Sequence, residues 1–288
     1  MSVAYAAVAG FAFGALSVAV RAGLSGPESP ELAAFAATAC GAAVCATVVV
    51  LGQPAGGIRV GPLWPYLIVG GLAPGVSQIC LTFAVRSAGA ARTAIVMGSA
   101  PMLSVLIAFA ALAEPIRLDV LAGTLAIVLG GSALAFERGR TQRSHLRGAL
   151  LAGTCAILFA VRDNLLRSLA TGQHAAPFAA ATATLVGATA VIGLYILCVR
   201  PTAATAQIGR TFVRFAPAGI ALAVGYGFLL TAVAHGRVSV VSPLNATGSL
   251  WAVALAALTF RRTEQIGRYT LAATILIVIG GVTIGAGG

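Results

Sequence analysis

The chain has 288 residues, of which 59% are hydrophobic and only 9% charged, with a mean hydropathy of +0.99. Soluble domains carry about 25% charged residues, so this composition excludes an ordinary water-soluble fold. The net charge of +11 comes from arginines that lie mostly between apolar runs, where they orient helices in a lipid bilayer. We therefore expect a membrane partner and no nucleic-acid partner.

Ten apolar runs follow one another along the chain, and each approaches the length of about 20 residues that a helix needs to cross a bilayer. The runs cover residues 3–21, 31–51, 64–85, 91–112, 118–136, 146–169, 177–199, 212–234, 238–260 and 267–286. No basic residue precedes the first run, so we interpret it as a retained helix and not as a signal peptide. The widest polar stretch, 137–147, separates the fifth run from the sixth.

An internal repeat organises these runs. Residues 98–131 recur without a gap at 248–281, and nine of the eighteen positions between Glu114 and Gly131 are identical at an offset of 150. The offset spans five runs, and because five is odd the second copy must enter the bilayer inverted. We predict an all-α membrane protein of ten transmembrane helices, built as two inverted five-helix repeats (1–140 and 145–288) around a central cavity.

The repeated segment also carries a family resemblance. Ser99-Ala-Pro101, twelve apolar or small residues, Glu114, Gly123 and Gly130-Gly131 resemble the signature half-repeat of the EamA-type permeases of the drug/metabolite transporter superfamily. The second copy keeps the glutamate as Glu264, but it has Trp251 where the proline would fall. The resemblance implies ten helices around a cavity in the cell inner (plasma) membrane. It also implies export of amino acids or other small metabolites, as in the YddG-like aromatic amino-acid exporters.

The orientation in the membrane has two opposing indications. The odd-numbered loops hold about thirteen arginines and the even-numbered loops four or five, which puts the odd loops in the cytoplasm and both termini outside. The usual topology of the resembled family has both termini in the cytoplasm. Both orientations stay open at this point.

Charges inside a membrane span are costly and usually functional. Arg162 and Asp163 are the charges that lie well inside a predicted run. They either form an interfacial cluster that extends to the headgroups, with Asp163 paired to Arg167 four residues on, or hold the carboxylate or amine of a zwitterion.

Uncharged polar groups in the middle of runs also favour positions facing protein or a wet cavity. Together with Arg162 and Asp163 they form the predicted substrate-binding set, namely Gln78, Ser99, Tyr226, Asn245, Ser249 and Trp251. Hydrogen bonds between helices explain any single member equally well. Trp251 stands out because tryptophan prefers the membrane interface, so a tryptophan in mid-span suggests a cavity wall.

Three prolines and two glutamates are candidates for hinges and helix caps. Pro74, Pro101 and Pro243 lie inside runs, where proline removes a backbone hydrogen bond; each is either a hinge or a static kink. Glu114 and Glu264 end the fourth and ninth runs, and we expect each carboxylate to cap the N-terminus of the following helix in a structural role.

These features favour an exporter of small metabolites, most of all neutral and aromatic amino acids, that works by alternating access as a monomer without cofactor or metal. The absence of acidic residues from the first and third runs argues against exchange of protons for organic cations. A sugar-phosphate or nucleotide-sugar exchanger is the alternative, but it would need several basic groups in mid-span. A membrane-embedded enzyme ranks lower still, because the runs contain no convergent catalytic or metal-binding constellation.

Overall fold

The computed structural model describes residues 1–24, 29–52, 61–88, 96–138, 146–173, 175–199, 208–259 and 268–287. Within these ranges every regular element is helical. A helix satisfies its own backbone hydrogen bonds, which is the condition that a lipid environment imposes on so apolar a chain.

The first half contributes six α-helices: α1 (Ser2–Gly23), α2 (Pro30–Leu51), α3 (Trp64–Gly70), α4 (Ser77–Ala88), α5 (Ala100–Ala111) and α6 (Leu118–Arg138). The second half contributes another six: α7 (Leu146–Gln173), α8 (Pro177–Val199), α9 (Ile208–His235), α10 (Val238–Ala246), α11 (Gly248–Thr259) and α12 (Arg268–Gly287). The main hydrophobic core joins the two halves, with Val105, Leu185 and Leu229 among its buried members.

Seven helical stretches in the described part of the chain are long and apolar enough to cross a bilayer, judged by length and composition. Three further apolar helices are shorter: Ala100–Ala111, Leu118–Gly130 and Ala272–Ile284. Each of the ten overlaps one of the ten predicted runs. The fold is therefore that of a multi-pass helical membrane protein, while the count of ten crossings stays a prediction.

Three of the predicted runs contain a break within the described residues. The fourth run turns at Gly98 and Ser99, just before α5 begins. The third run divides into α3 and α4 at a wide helical turn over Gly71–Val76, where Ala73 has non-helical angles (φ −147°, ψ 113°) just before Pro74. The ninth run divides into α10 and α11 at Thr247, shortly after Pro243. Pro101 differs from its predicted place inside a helix: it is the second residue of α5, where a missing N–H costs nothing.

Glycines let α1 approach the break between α10 and α11 closely. A Cβ added at Gly14 would lie 2.6 Å from the Cβ of Trp251, and one added at Gly248 would lie 2.7 Å from the carbonyl oxygen of Gly10. Small residues at such contacts are how membrane helices pack, because lipid tails offer no hydrophobic drive between helices.

Candidate functional site

A cavity of about 430 Å³ lies where both halves of the chain meet. Its apolar lining is drawn from α1, the turn before α4, the start of α5 and helices α6, α7, α9 and α10, namely Phe13, Leu16, Pro74, Met97, Gly98, Ala100, Pro101, Ile127, Phe159, Leu222 and Ala246. Its polar lining consists of Gln78, Arg162, Asp163, Tyr226, Ser242, Asn245 and Ser249. Its volume falls in the range of small-molecule sites, about 300–1,000 Å³.

A hydrogen-bonded ion pair is the central polar feature of this cavity. Arg162 Nε and Nη2 donate to Asp163 Oδ1 at 3.0 and 2.6 Å, and Arg162 Nη1 donates to the hydroxyl of Tyr226 at 2.9 Å. Ser242 Oγ donates to the other carboxylate oxygen, Asp163 Oδ2, at 2.7 Å. Because both charged residues are almost fully buried, at 6% and 5% exposure, they must neutralise each other, and the network as a whole carries no net charge.

Aromatic rings surround the guanidinium of Arg162. The Arg162 Cζ atom lies 4.6 Å from the ring centre of Phe159 and 5.5 Å from that of Tyr226, within the range of cation–π attraction. Phe13 meets the Tyr226 ring edge-on at 5.6 Å. The cavity therefore presents apolar aromatic surface next to a fixed, neutralised charge pair.

The structure contradicts one of the two interpretations of the intramembrane charges, the interfacial cluster. Arg162 does not extend to the headgroups, since its side chain is only 7% exposed. Asp163 pairs with its neighbour Arg162 and not with Arg167, as the helical spacing had suggested. Arg167 instead donates through Nη1 to the carbonyls of Val233 and Ala234 at the end of α9, where the helix dipole favours a cation.

The predicted substrate-binding residues do not all reach the cavity. Those that line it are Gln78, Arg162, Asp163, Tyr226, Asn245 and Ser249. Ser99 lies between two lining residues, and its hydroxyl donates to the carbonyl of Val96 at 2.7 Å.

Trp251 is not among the lining residues, so the expectation that it forms a cavity wall is corrected. It is 40% exposed and packs edge-on against Phe11 at 5.2 Å. Ser249 lines the cavity, and Trp251, two residues further along α11, points roughly 200° away from it. A position near the middle of a run predicts depth in the bilayer but not the direction of the side chain.

The sequence did not single out most of the apolar lining, Phe13 and Phe159 included, or the polar residue Ser242. Phe159 lies three residues before Arg162, one helical turn away, so that spacing could have indicated it. Ser242 precedes Pro243 and satisfies Asp163 from 79 positions away, a contact that no local pattern reveals.

Glu114 has a capping role, but at a different helix from the one expected. Its Oε1 accepts from the backbone N–H of Val238 at 2.8 Å and its Oε2 from that of Ser239 at 3.0 Å. The carboxylate thus caps α10, in the second half of the chain, and not α6, which follows it in sequence. Glu264 lies outside the described residues.

Helices that can cross a bilayer, packed around a small-molecule cavity, define a multi-pass membrane protein of the transporter class. Residues 1–135 match the model of the EamA-like transporter family. This match over the first half of the chain supports the EamA-type permease of the drug/metabolite transporter superfamily that the repeated motif had indicated.

Comparison with other proteins adds evidence on the fold. This chain matches 29 chains of solved structures. One of them, a crystal structure with 19% sequence identity, superposes with a TM-score of 0.81 over 98% of this chain and 95% of its own. At this identity the likeness shows the fold alone. Among curated proteins none matches the chain.

Proposed function

We propose that this protein exports small neutral or zwitterionic metabolites, most of all aromatic and neutral amino acids, by alternating access. The observation that carries the proposal is the cavity: about 430 Å³, walled by Phe13, Phe159 and aliphatic side chains, with one ion pair that neutralises itself. Such a site favours a cargo with an apolar side chain and no net charge, because a net charge entering it would have to be desolvated without a counter-charge.

An anionic cargo fits this cavity less well. A sugar phosphate or nucleotide sugar needs cationic groups to replace its hydration. Among the described lining residues Arg162 is the one permanent cation, and three of its N–H groups are already used by Asp163 and Tyr226. The enzyme alternative fits less well too, because both carboxylate oxygens of Asp163 are engaged and leave no free general base there.

Reciprocal contacts between the halves support the inverted repeat on which alternating access depends. A Cβ at Gly123 would lie 2.7 Å from the carbonyl of Gly280, and a Cβ at Gly130 would lie 2.8 Å from the carbonyl of Ala273. These two contacts exchange under the offset of 150. Such an exchange is what a pseudo-twofold axis relating residues 1–140 to 145–288 would produce.

The broken spans repeat in the same way. The Ser99 hydroxyl donates to the carbonyl of Val96 where α5 begins, and the Ser249 hydroxyl donates to the carbonyl of Ala246 where α11 begins. Both positions border the cavity and are again 150 residues apart. Paired breaks beside a central site support a mechanism in which the two halves move about the bound cargo.

One end of the bundle holds several polar ties. Arg167 binds the last carbonyls of α9, and Glu114 caps the first residues of α10, so both lie at the connection between these helices. Deeper in, Arg162 ties α7 to α9 through Tyr226, and Asp163 ties α7 to α10 through Ser242. We call this the sealed end, and infer that the cavity is reached from the opposite end, where Met97 and Gly98 line it.

Transport into proteoliposomes tests the proposal. We expect protein-dependent uptake of labelled phenylalanine and leucine down a gradient, and little uptake of a labelled sugar phosphate. Ala246→Phe should abolish the uptake because it fills the cavity, whereas the matched Ala254→Phe, at an exposed position of α11, should not. Uptake of the sugar phosphate with none of either amino acid would favour the exchanger instead.

A further inference from the structure

Two polar groups in the cavity keep unused hydrogen-bonding capacity after the ion-pair network is satisfied. The buried hydroxyl of Tyr226, 1% exposed, accepts from Arg162, and its own proton has no acceptor among the described residues. The Oδ1 atom of Asn245 is buried and lacks a hydrogen-bond partner in the same part of the chain. Buried polar atoms are rarely left unpaired, so each unpaired one calls for an explanation.

The remaining polar lining groups are already in use. Ser242 donates to Asp163, and Ser249 donates to the carbonyl of Ala246. Both oxygens of Asp163 accept hydrogen bonds, and Gln78 has an interaction of its own. The cavity thus offers a cargo one donor that is backed by a cation, the Tyr226 hydroxyl, and one buried acceptor, the Asn245 carbonyl.

A ligand that complements this pair has an anionic acceptor and an N–H donor on a small neutral body. We propose that Tyr226 donates its hydroxyl proton to the carboxylate of an α-amino acid, while Asn245 Oδ1 accepts from its ammonium group. This assignment rests on the proposed function and specifies which end of the cargo each residue recognises. Arg162 and Asp163 are positioning residues: they hold the Tyr226 oxygen and polarise its O–H bond.

The apolar lining supports this placement of the cargo. Phe13 packs edge-on against Tyr226, and Leu16 and Leu222 also line the cavity. With its two charged groups on Tyr226 and Asn245, the cargo would bury its side chain against this apolar surface.

Competition with truncated analogues tests the two contacts separately. The probe is uptake of labelled phenylalanine, with 3-phenylpropionate (no ammonium) and phenethylamine (no carboxylate) as competitors. The wild type should prefer phenylalanine strongly over both analogues. In Asn245→Leu, the preference for phenylalanine over 3-phenylpropionate should fall about tenfold, while the preference over phenethylamine should not change. In Tyr226→Phe, the preference over phenethylamine should fall about tenfold, while the preference over 3-phenylpropionate should not change.

Matched controls and a second variant keep the test decisive. Thr189→Val and Tyr195→Phe remove comparable hydroxyl groups away from the cavity, so both preferences should stay unchanged. If Asn245→Leu does not fold, the smaller Asn245→Ala replaces it: this variant also lacks the acceptor and should lose the same preference over 3-phenylpropionate.

The possible failures are distinguishable. Two results would overturn the contact assignment: an equal loss of apparent affinity for all three compounds, or unchanged preferences in folded variants. In either case, transport of phenylalanine by the wild type would leave the proposed function standing. No wild-type transport of any amino acid would overturn both.

Discussion

At the residue scale, the buried pair Arg162–Asp163 depends on both of its members. Arginine stays charged in any environment of the protein, so removing the aspartate leaves a cation buried beside Phe159. Breaking a buried pair typically costs about 3–5 kcal/mol, whereas replacing both partners by apolar residues of similar volume is often nearly neutral.

We therefore predict that Asp163→Ala lowers the stability of the protein by about 3–5 kcal/mol, and that Arg162→Met with Asp163→Leu lowers it far less. Thermal unfolding of detergent-solubilised protein compares the two. The double variant should still lose transport selectivity, because Tyr226 loses the donor that holds its oxygen. A double variant less stable than Asp163→Ala would contradict this account of the pair.

The aromatic residues Phe13 on α1 and Trp251 on α11 should differ in function. Phe13 lines the cavity and Trp251 does not. Phe13→Ala should raise the KM for phenylalanine about tenfold, because an aromatic wall contributes about 1.5–3 kcal/mol of apolar burial. Trp251→Ala should change this KM by less than about twofold, a small effect of the kind seen away from a site. Uptake kinetics at matched amounts of folded protein measure both, and the reverse order would place the site elsewhere.

Single residues also show what the sequence can predict of the site. Arg162, Asp163, Tyr226 and Asn245 could be singled out because a polar group in an apolar run must face protein or water. Their partners could not, because contacts such as Ser242 to Asp163 join helices far apart in sequence. Trp251 was misplaced for a related reason, since hydropathy carries no information about which helix face meets the cavity.

At the scale of elements, the length of the apolar runs located the helices but not their breaks. The third run was expected to be one span with a kink, and it contains a wide helical turn over Gly71–Val76 in which Ala73 leaves helical geometry. Pro101 begins α5 instead of bending it. Whether a proline starts or interrupts a helix depends on where the preceding backbone hydrogen bonds end, and tertiary packing decides that.

The cap on α10 gives a prediction at this scale. Glu114→Ala removes both acceptors of the Val238 and Ser239 N–H groups, and should lower stability by about 0.5–2 kcal/mol, in the range for loss of a helix cap. Glu114→Gln keeps one acceptor oxygen and should lose less. Unfolding temperatures of the two variants test this order of stabilities. Transport per folded molecule should stay close to that of the wild type. Equal stability of wild type and Glu114→Ala would exclude the capping role.

At the scale of the whole molecule, residues that carry the sequence repeat lie at contacts between the two halves. Gly130 and Gly280 match at the offset of 150, and each packs against the backbone of the other half. The relative position of the halves was not predictable, because two halves related as we propose can leave their central cavity open at either end. The tie between Arg162 and Tyr226 breaks the symmetry of the repeat, because the positions that match these two residues are Ala12 and Val76.

Reciprocal accessibility is the expected signature of alternating access. After replacement of the five native cysteines, Leu16→Cys, which lines the cavity, should react with a membrane-impermeant thiol reagent from one side only. Ser239→Cys, buried at the sealed end, should react only from the opposite side, and only in the alternate state.

Adding Ser242→Ala removes the tie to Asp163, and a hydrogen bond to a charged group contributes about 1.5–3 kcal/mol. We therefore expect the reactivity of Ser239→Cys, relative to that of Leu16→Cys, to rise by roughly tenfold or more. Labelling of both cysteines from the same side at once would indicate a continuous pore and contradict the two-state mechanism.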